Sequence, residues 1–87
     1  SLLPKPIVRV TPRNAMYVNR EQVPLRDALH RIAGETIAYY PPGIPCVAVG
    51  EEISSSVLQY IENRKALGYV PNGADDMSLE TIWVLQE

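Results

Sequence analysis

The side chains able to carry chemistry are few and scattered. The 87-residue chain has one histidine (His30), one cysteine (Cys46), two lysines (Lys5 and Lys65) and two adjacent acid pairs, Glu51-Glu52 and Asp75-Asp76. A single His and a single Cys cannot supply a conventional zinc site. Asp75-Asp76, with Asn72 nearby, offers oxygen ligands but lacks calcium-loop spacing, so a solvated loop is expected there. No stretch matches a nucleophile elbow, a phosphate loop, a dinucleotide fingerprint or a paired-cysteine metal site. Cys46 lies in an apolar run and is expected to be buried and inert. His30 is expected at the surface or half-buried. No catalytic residue and no metal ligand is therefore assigned to this chain.

What the sequence does offer is a stiff loop. Three of the eight prolines fall within Tyr39-Tyr40-Pro41-Pro42-Gly43-Ile44-Pro45. Each proline fixes φ and removes a backbone donor, so residues 41–45 are expected to be neither helix nor interior strand. Tyr40, Pro41 and Ile44 each precede a proline and are pushed towards extended geometry. Gly43 is the freely turning position, so the bend is expected there. Such a loop loses little entropy on docking. It is expected to carry both tyrosine rings on one side, and it feeds the apolar run Cys46–Val49, read as a buried strand closed by Gly50-Glu51.

The motif Tyr40-Pro41-Pro42-Gly43-Ile44-Pro45, the apolar run after it and Gly50-Glu51 resemble the C-terminal domain of bacterial ornithine/lysine/arginine decarboxylases. Those enzymes are pyridoxal-phosphate-dependent and have the aspartate-aminotransferase fold type. Thr11-Pro12-Arg13-Asn14-Ala15, Val23-Pro24-Leu25 and Arg31-Ile32-Ala33 extend the resemblance upstream. The helix after Glu51 and a final strand ending in Trp83-Val84 extend it downstream. It departs at His30, where the family carries glycine before the Arg-Ile pair.

The resemblance implies a non-catalytic C-terminal domain of a decarboxylase acting on arginine, lysine or ornithine. Neither Lys5, in a proline-rich tail, nor Lys65, on an exposed helix end, stands in the family's cofactor-binding context. The expectation is therefore that this piece binds no cofactor and that pyridoxal phosphate belongs to the parent enzyme. The implied partner is that enzyme's N-terminal cofactor-binding domain, within a homo-oligomer. Tyr39 to Pro45, with Gly50 and Glu51, would then wall an active-site entrance or pack the domain against the larger one. Glu51 or Glu52 would face a cationic substrate tail, a pair that gains about 4 kcal/mol at ~4 Å and an effective dielectric near 20. Against this, acids just before a helix favour its dipole whatever the substrate, and that reading suits Glu52 best. Arg13 would pin an anion or tie a short helix to a neighbour, and Trp83 reads as a core or interface anchor. The competing reading is a protein-interaction module whose proline loop docks some other partner.

Composition narrows the classes. A net charge of −2 with scattered Lys and Arg gives no stripe to neutralise phosphates, which argues against nucleic acid. No apolar run is long enough to span a membrane. The single cysteine excludes an internal disulfide and fits a reducing cytoplasm. The opening Ser1-Leu2-Leu3-Pro4 has neither initiator Met nor signal-peptide pattern and reads as a cut from a longer chain. One domain of this size buries roughly 60–65% of its unfolded surface, and is marginal unless it packs on something else.

The elements that must position these residues are short, and the fold class read from them is α+β: a small sheet, one principal helix at about 54–67 and much irregular loop. Residues 1–10 read as a linker or tail with a short strand at Ile7–Val10, and residues 11–87 as the domain. Thr11-Pro12 starts a short helix running to Tyr17. Val23-Pro24-Leu25 is extended and then turns. Residues 31–38 form two extended pieces broken at Gly34. Ser54, Ser55 and Ser56 all offer N-cap hydroxyls for the principal helix, Ser56 with Gln59 makes a capping-box pattern, and Gly68 ends the helix. Tyr69-Val70 reads as a short strand, Pro71-Asn72-Gly73 as a turn and residues 74–78 as exposed loop. Thr81–Leu85 is the clearest strand.

Overall fold

A computed structural model describes residues 3–40 and 43–87. Helix α1 spans Pro12–Ala15, β1 Arg20–Pro24, β2 Ile37–Ala38, β3 Pro45–Val47, α2 Ser55–Ala66 and β4 Thr81–Leu85, with a 3₁₀ turn at Leu25–Asp27. The architecture is the expected α+β, although its regular strands form two small antiparallel pairs, β1 with β4 and β2 with β3.

Helix α1 starts where Thr11-Pro12 predicts. Thr11 is extended, and its hydroxyl accepts the Asn14 N–H at 3.2 Å. The helix stops at Ala15 rather than Tyr17, because Ala15 is its one buried residue and Met16 and Tyr17 project into solvent.

Strand β1 is the larger departure. Arg20, Glu21 and Gln22 carry no strand signal, yet they pair in register with Leu85, Val84 and Trp83. The polar strand exists because the apolar β4 supplies a template, and Pro24, with no N–H, closes it on an edge.

Beyond β4 the backbone ladder continues through irregular chain. Ala33 bridges Val84, Ile32 bridges Glu52, and Glu51 in turn bridges Val8. The expected strand at Ile7–Val10 is only this single bridge. Its N–H groups converge instead, Arg9 and Val10 both donating to Gly50 O at 3.0 and 2.9 Å. Gly50 is required there: φ is +91°, and a Cβ would stand 2.0 Å from Val10 O.

Helix α2 is capped by Ser54, whose Oγ accepts the Val57 N–H at 3.2 Å. The expected capping box at Ser56 and Gln59 is not formed, since Ser56 already lies inside the first turn. Buried Ile53, whose N–H donates to Arg31 O at 2.8 Å, pins the entering chain and leaves Ser54 in the extended cap position. Val57, Tyr60 and Ile61 face the core.

The helix ends in a Schellman turn. Gly68 has φ +85° and donates to Lys65 O, while Tyr69 N–H reaches back to Arg64 O, both at 3.0 Å. This fold-back explains why Tyr69-Val70 is not a strand. Tyr69 is committed to the helix end and Pro71 has no donor, so pairing resumes only at Asn72, which exchanges two backbone bonds with Ala38.

The core lies between α2 and the sheets, with Ile37, Val47, Ile53, Ile61, Ile82 and Val84 fully buried. Among the described residues no helix is long and apolar enough to cross a membrane.

Candidate functional site

The proline loop leaves β2 at Ala38 and re-enters the fold at β3. Gly43 makes the expected bend, with φ +80° and its N–H donating to Tyr39 O at 2.7 Å. Pro41 and Pro42 lie outside the described residues. Pro45 sits at the first position of β3, where proline is tolerated. The expectation that both rings share one side is overturned: Tyr39 is 1% exposed and Tyr40 is 66% exposed. Successive side chains of an extended segment point to opposite faces, so one ring must enter the core when the other leaves it. Tyr40 lies across the bend, near enough that a Cβ on Gly43 would meet its ring at 2.3 Å. Ile44 is exposed beside it. The Ala38–Asn72 bridge brings exposed Tyr69 and Val70 alongside the loop.

Gly50 and Glu51 close the run after β3. The Glu51 N–H donates to Ala48 O at 3.0 Å, and Glu51 Oε1 accepts the Ala48 N–H at 3.0 Å. The Glu51 carboxylate is thus tied to its own turn. Glu52 turns elsewhere: Oε1 accepts from Arg9 at 2.7 Å and Oε2 stands 3.0 Å from His30 Nδ1. The His30 hydrogen bond first, and the Arg9 guanidinium second, hold the Glu52 carboxyl below the usual carboxylate range. Ion pairing across three chain segments, rather than the helix dipole, is what occupies Glu52.

His30 itself has φ +67°. The left-handed backbone is one that glycine adopts freely, whereas a side chain in that region costs about 1–2 kcal/mol. Here the imidazole gains Glu52, and the backbone N–H donates to Ile53 O at 2.7 Å.

Behind the loop, Tyr39 packs edge-on to Tyr60, with ring centroids 6.3 Å apart. Burial pushes the Tyr39 hydroxyl up to about 12 and the Cys46 thiol up to about 11. Cys46 is buried as expected, its Sγ 3.4 Å from Ile37 O. One turn along α2 from Tyr60, the Arg64 guanidinium stands 4.7 Å from the Tyr60 ring and 5.2 Å from that of Tyr69.

The remaining expected residues are dispersed. Arg13 is exposed on α1 and carries no ion pair among the described residues. Trp83 is half-buried on the far sheet, where Nε1 donates to Asp75 Oδ2 at 3.1 Å and the Arg20 guanidinium lies 4.7 Å over the ring. Lys65 Nζ donates to Leu79 O at 3.0 Å and pairs with Glu80 at 3.2 Å, while Lys5 is exposed on the N-terminal arm. An open groove of about 980 Å³ runs between that arm and the start of α2, past His30, Glu52, Ser54 and Gln59; none of the described residues of the proline loop lines it.

Sequence reasoning missed three positioning groups. Buried Glu35 accepts the N–H of Asp75 and of Trp83, at 2.9 and 2.8 Å. Asp76 gathers Ser78 and Thr81, each by backbone N–H and by hydroxyl, and those bonds, the Ser78 hydroxyl foremost, draw its carboxyl down to about 2. The third is Arg64. For Asp76 a signal existed, an Asp two residues before Ser in a loop; for Arg64 the four-residue spacing from Tyr60 was another.

Comparison with known proteins meets this geometry. Residues 3–70 match the family model described as Orn/Lys/Arg decarboxylase, C-terminal domain. Arginine decarboxylase of Bacillus subtilis is 40% identical over 87 residues, and that of Bacillus anthracis 37% over 82; these alignments cover 99% and 94% of this chain but only 18% and 17% of the relatives. An Escherichia coli constitutive lysine decarboxylase shares the fold with a TM-score of 0.77 at 24% identity, covering 93% of this chain and 14% of that one. The chain is a member of the Orn/Lys/Arg decarboxylase C-terminal domain family.

Proposed function

We propose that this chain is the C-terminal domain of a pyridoxal-phosphate-dependent decarboxylase of basic amino acids, and that its proline loop seats it on the cofactor-bearing body of the same enzyme. The observation that carries this reading is the loop face. Tyr40, Ile44 and Val70 are 66%, 55% and 60% exposed, the first two flanking the bend at Gly43 and the third on the segment joined to β2 by the Ala38–Asn72 bridge. A rigid apolar face of this kind docks at small entropic cost, and the curated relatives are more than five times longer than this chain.

The cofactor's place is elsewhere in the parent. When bound, pyridoxal phosphate supplies the electron sink for loss of CO₂. The residues of this chain do not fit it: Lys65 is held by Glu80 and Leu79 O, and Lys5 is exposed on the rim of the open groove beside the N-terminal arm. No chemical step is assigned to this domain. Packing is favoured over substrate contact because Glu51, which follows β3, spends a carboxylate oxygen on Ala48 N–H. Arginine is the favoured substrate of the parent, since the relatives aligned over nearly the whole chain are named arginine decarboxylases.

The test is expression of the full-length reading frame that carries this chain, assayed for CO₂ release from arginine, lysine and ornithine. Release from arginine, reduced together with assembly by Ile44→Asp, is expected. A full-length product inactive on all three amino acids would overturn the reading.

A further inference from the structure

Three basic side chains are half-buried among the described residues: Arg31, Arg64 and Lys65. Arg31 pairs with Glu21 and Glu87, and Lys65 with Glu80. Among the described residues Arg64 pairs with no carboxylate. Its Nη2 donates to the Tyr60 hydroxyl at 3.1 Å, and two tyrosine rings flank its guanidinium. Its Nε is buried without a partner, and so is the hydroxyl of Tyr39, the ring packed against Tyr60. Among the described residues these are the two buried side-chain polar atoms left unbonded, and both belong to one cluster.

The sequence builds this arrangement locally. The four-residue step from Tyr60 to Arg64 stacks one ring on the guanidinium. Gly68 then turns the chain so that the Tyr69 ring also comes within 5.2 Å of the guanidinium. The two rings hold the planar fork in place, and with Nε buried and Nη2 on Tyr60 a planar acceptor would be met at the Nη end. A half-buried cation without a counter-ion is unfavourable, and the acids of the loop before β4 are committed elsewhere: Glu80 to Lys65, Asp75 to Trp83, Asp76 to Ser78 and Thr81.

We propose that the Tyr60–Arg64–Tyr69 cluster is a carboxylate seat, and that an Asp or Glu side chain on the body covering the proline loop fills it. Its occupant rests on the docking reading above. Tyr69 and Val70 are both exposed and lead to Asn72, which pairs with Ala38 two residues before Tyr40, and a carboxylate would complement the Arg64 charge.

Two measurements test it separately. In the 87-residue chain, the Arg64 Nε–H resonance is followed by NMR while acetate, or chloride at equal ionic strength, is added. Acetate is expected to shift Arg64 saturably and to leave the exposed Arg13 and Arg26 signals unmoved; equal responses at all three would overturn the seat even if docking holds. In the full-length enzyme, Arg64→Met is expected to raise side-chain labelling of Tyr40 and Ile44 roughly ten-fold, with Arg64→Lys, which keeps charge without the fork, falling between. Unchanged labelling in Arg64→Met would overturn the assignment of the occupant. Labelling already high in the unmutated full-length enzyme would count against docking itself, whatever acetate does.

Discussion

The carboxylate of Glu35 accepts the backbone N–H of Trp83 at 2.8 Å while its other oxygen holds the N–H of Asp75 at 2.9 Å. One side chain, 7% exposed, thereby ties the start of the β2 region to β4 and to the loop before it. Glu35→Ala leaves two amides without this acceptor, and an unsatisfied buried group costs about 1–3 kcal/mol. Glu35→Ala should destabilise the chain by about 2–4 kcal/mol in urea unfolding. Glu35→Gln should fall short of wild type as well, because its NH₂ must face one of the two donors.

Gly50 and Gly68 both have positive φ, and they should respond differently to alanine. At Gly68 a Cβ meets nothing within 4 Å, so Gly68→Ala should cost only the backbone strain, about 1–2 kcal/mol. At Gly50 the Cβ would stand 2.0 Å from Val10 O, so Gly50→Ala must also displace the arm. The expected sign is faster amide exchange at Arg9 and Val10 in Gly50→Ala and not in Gly68→Ala.

His30 occupies a position whose backbone suits glycine or asparagine. His30→Gly should leave stability within about 1 kcal/mol, as relief of strain offsets added freedom in the unfolded chain. His30→Val, β-branched at φ +67°, should lose about 2 kcal/mol or more. Equal stabilities for Gly and Val in thermal unfolding would contradict the left-handed backbone.

Asp76 sets an acid limit. Its folded-state value, about 2, lies below that of an unfolded aspartate, so as pH falls the unfolded chain takes up the proton first. The stabilisation is complete above roughly pH 4 and is lost as pH falls towards about 2. Wild type should therefore lose urea resistance between those values more steeply than Asp76→Asn, in which Glu52 still titrates. Parallel slopes would remove Asp76 from the account.

Much of this was legible in the residues, where local rules decide. Thr11-Pro12 announced α1, Gly68 the end of α2, Gly43 the bend and Thr81–Leu85 the final strand. What failed depended on distant chain. Strand β1 has three polar residues and exists through β4, with Gln22 bonding Thr81 across the pair at 2.9 Å. Of the three serines that could cap α2, Ser54 does so, because Arg31 O anchors Ile53, and the capping box at Ser56 and Gln59 does not form. The bend at Gly43 could be read from the residues, but which tyrosine enters the core is set by the phase of β2, and that phase is fixed by pairing with β3 and Asn72.

The account turns on whether the face built by Tyr40, Ile44 and Val70 is covered in the full-length enzyme. Hydroxyl-radical labelling of these three side chains, in the 87-residue chain and in the full-length product, measures that directly. Labelling should fall by roughly an order of magnitude in the full-length enzyme, as at the dry centre of an interface. Equal labelling in both would mean the face stays in solvent, and the docking role would be wrong.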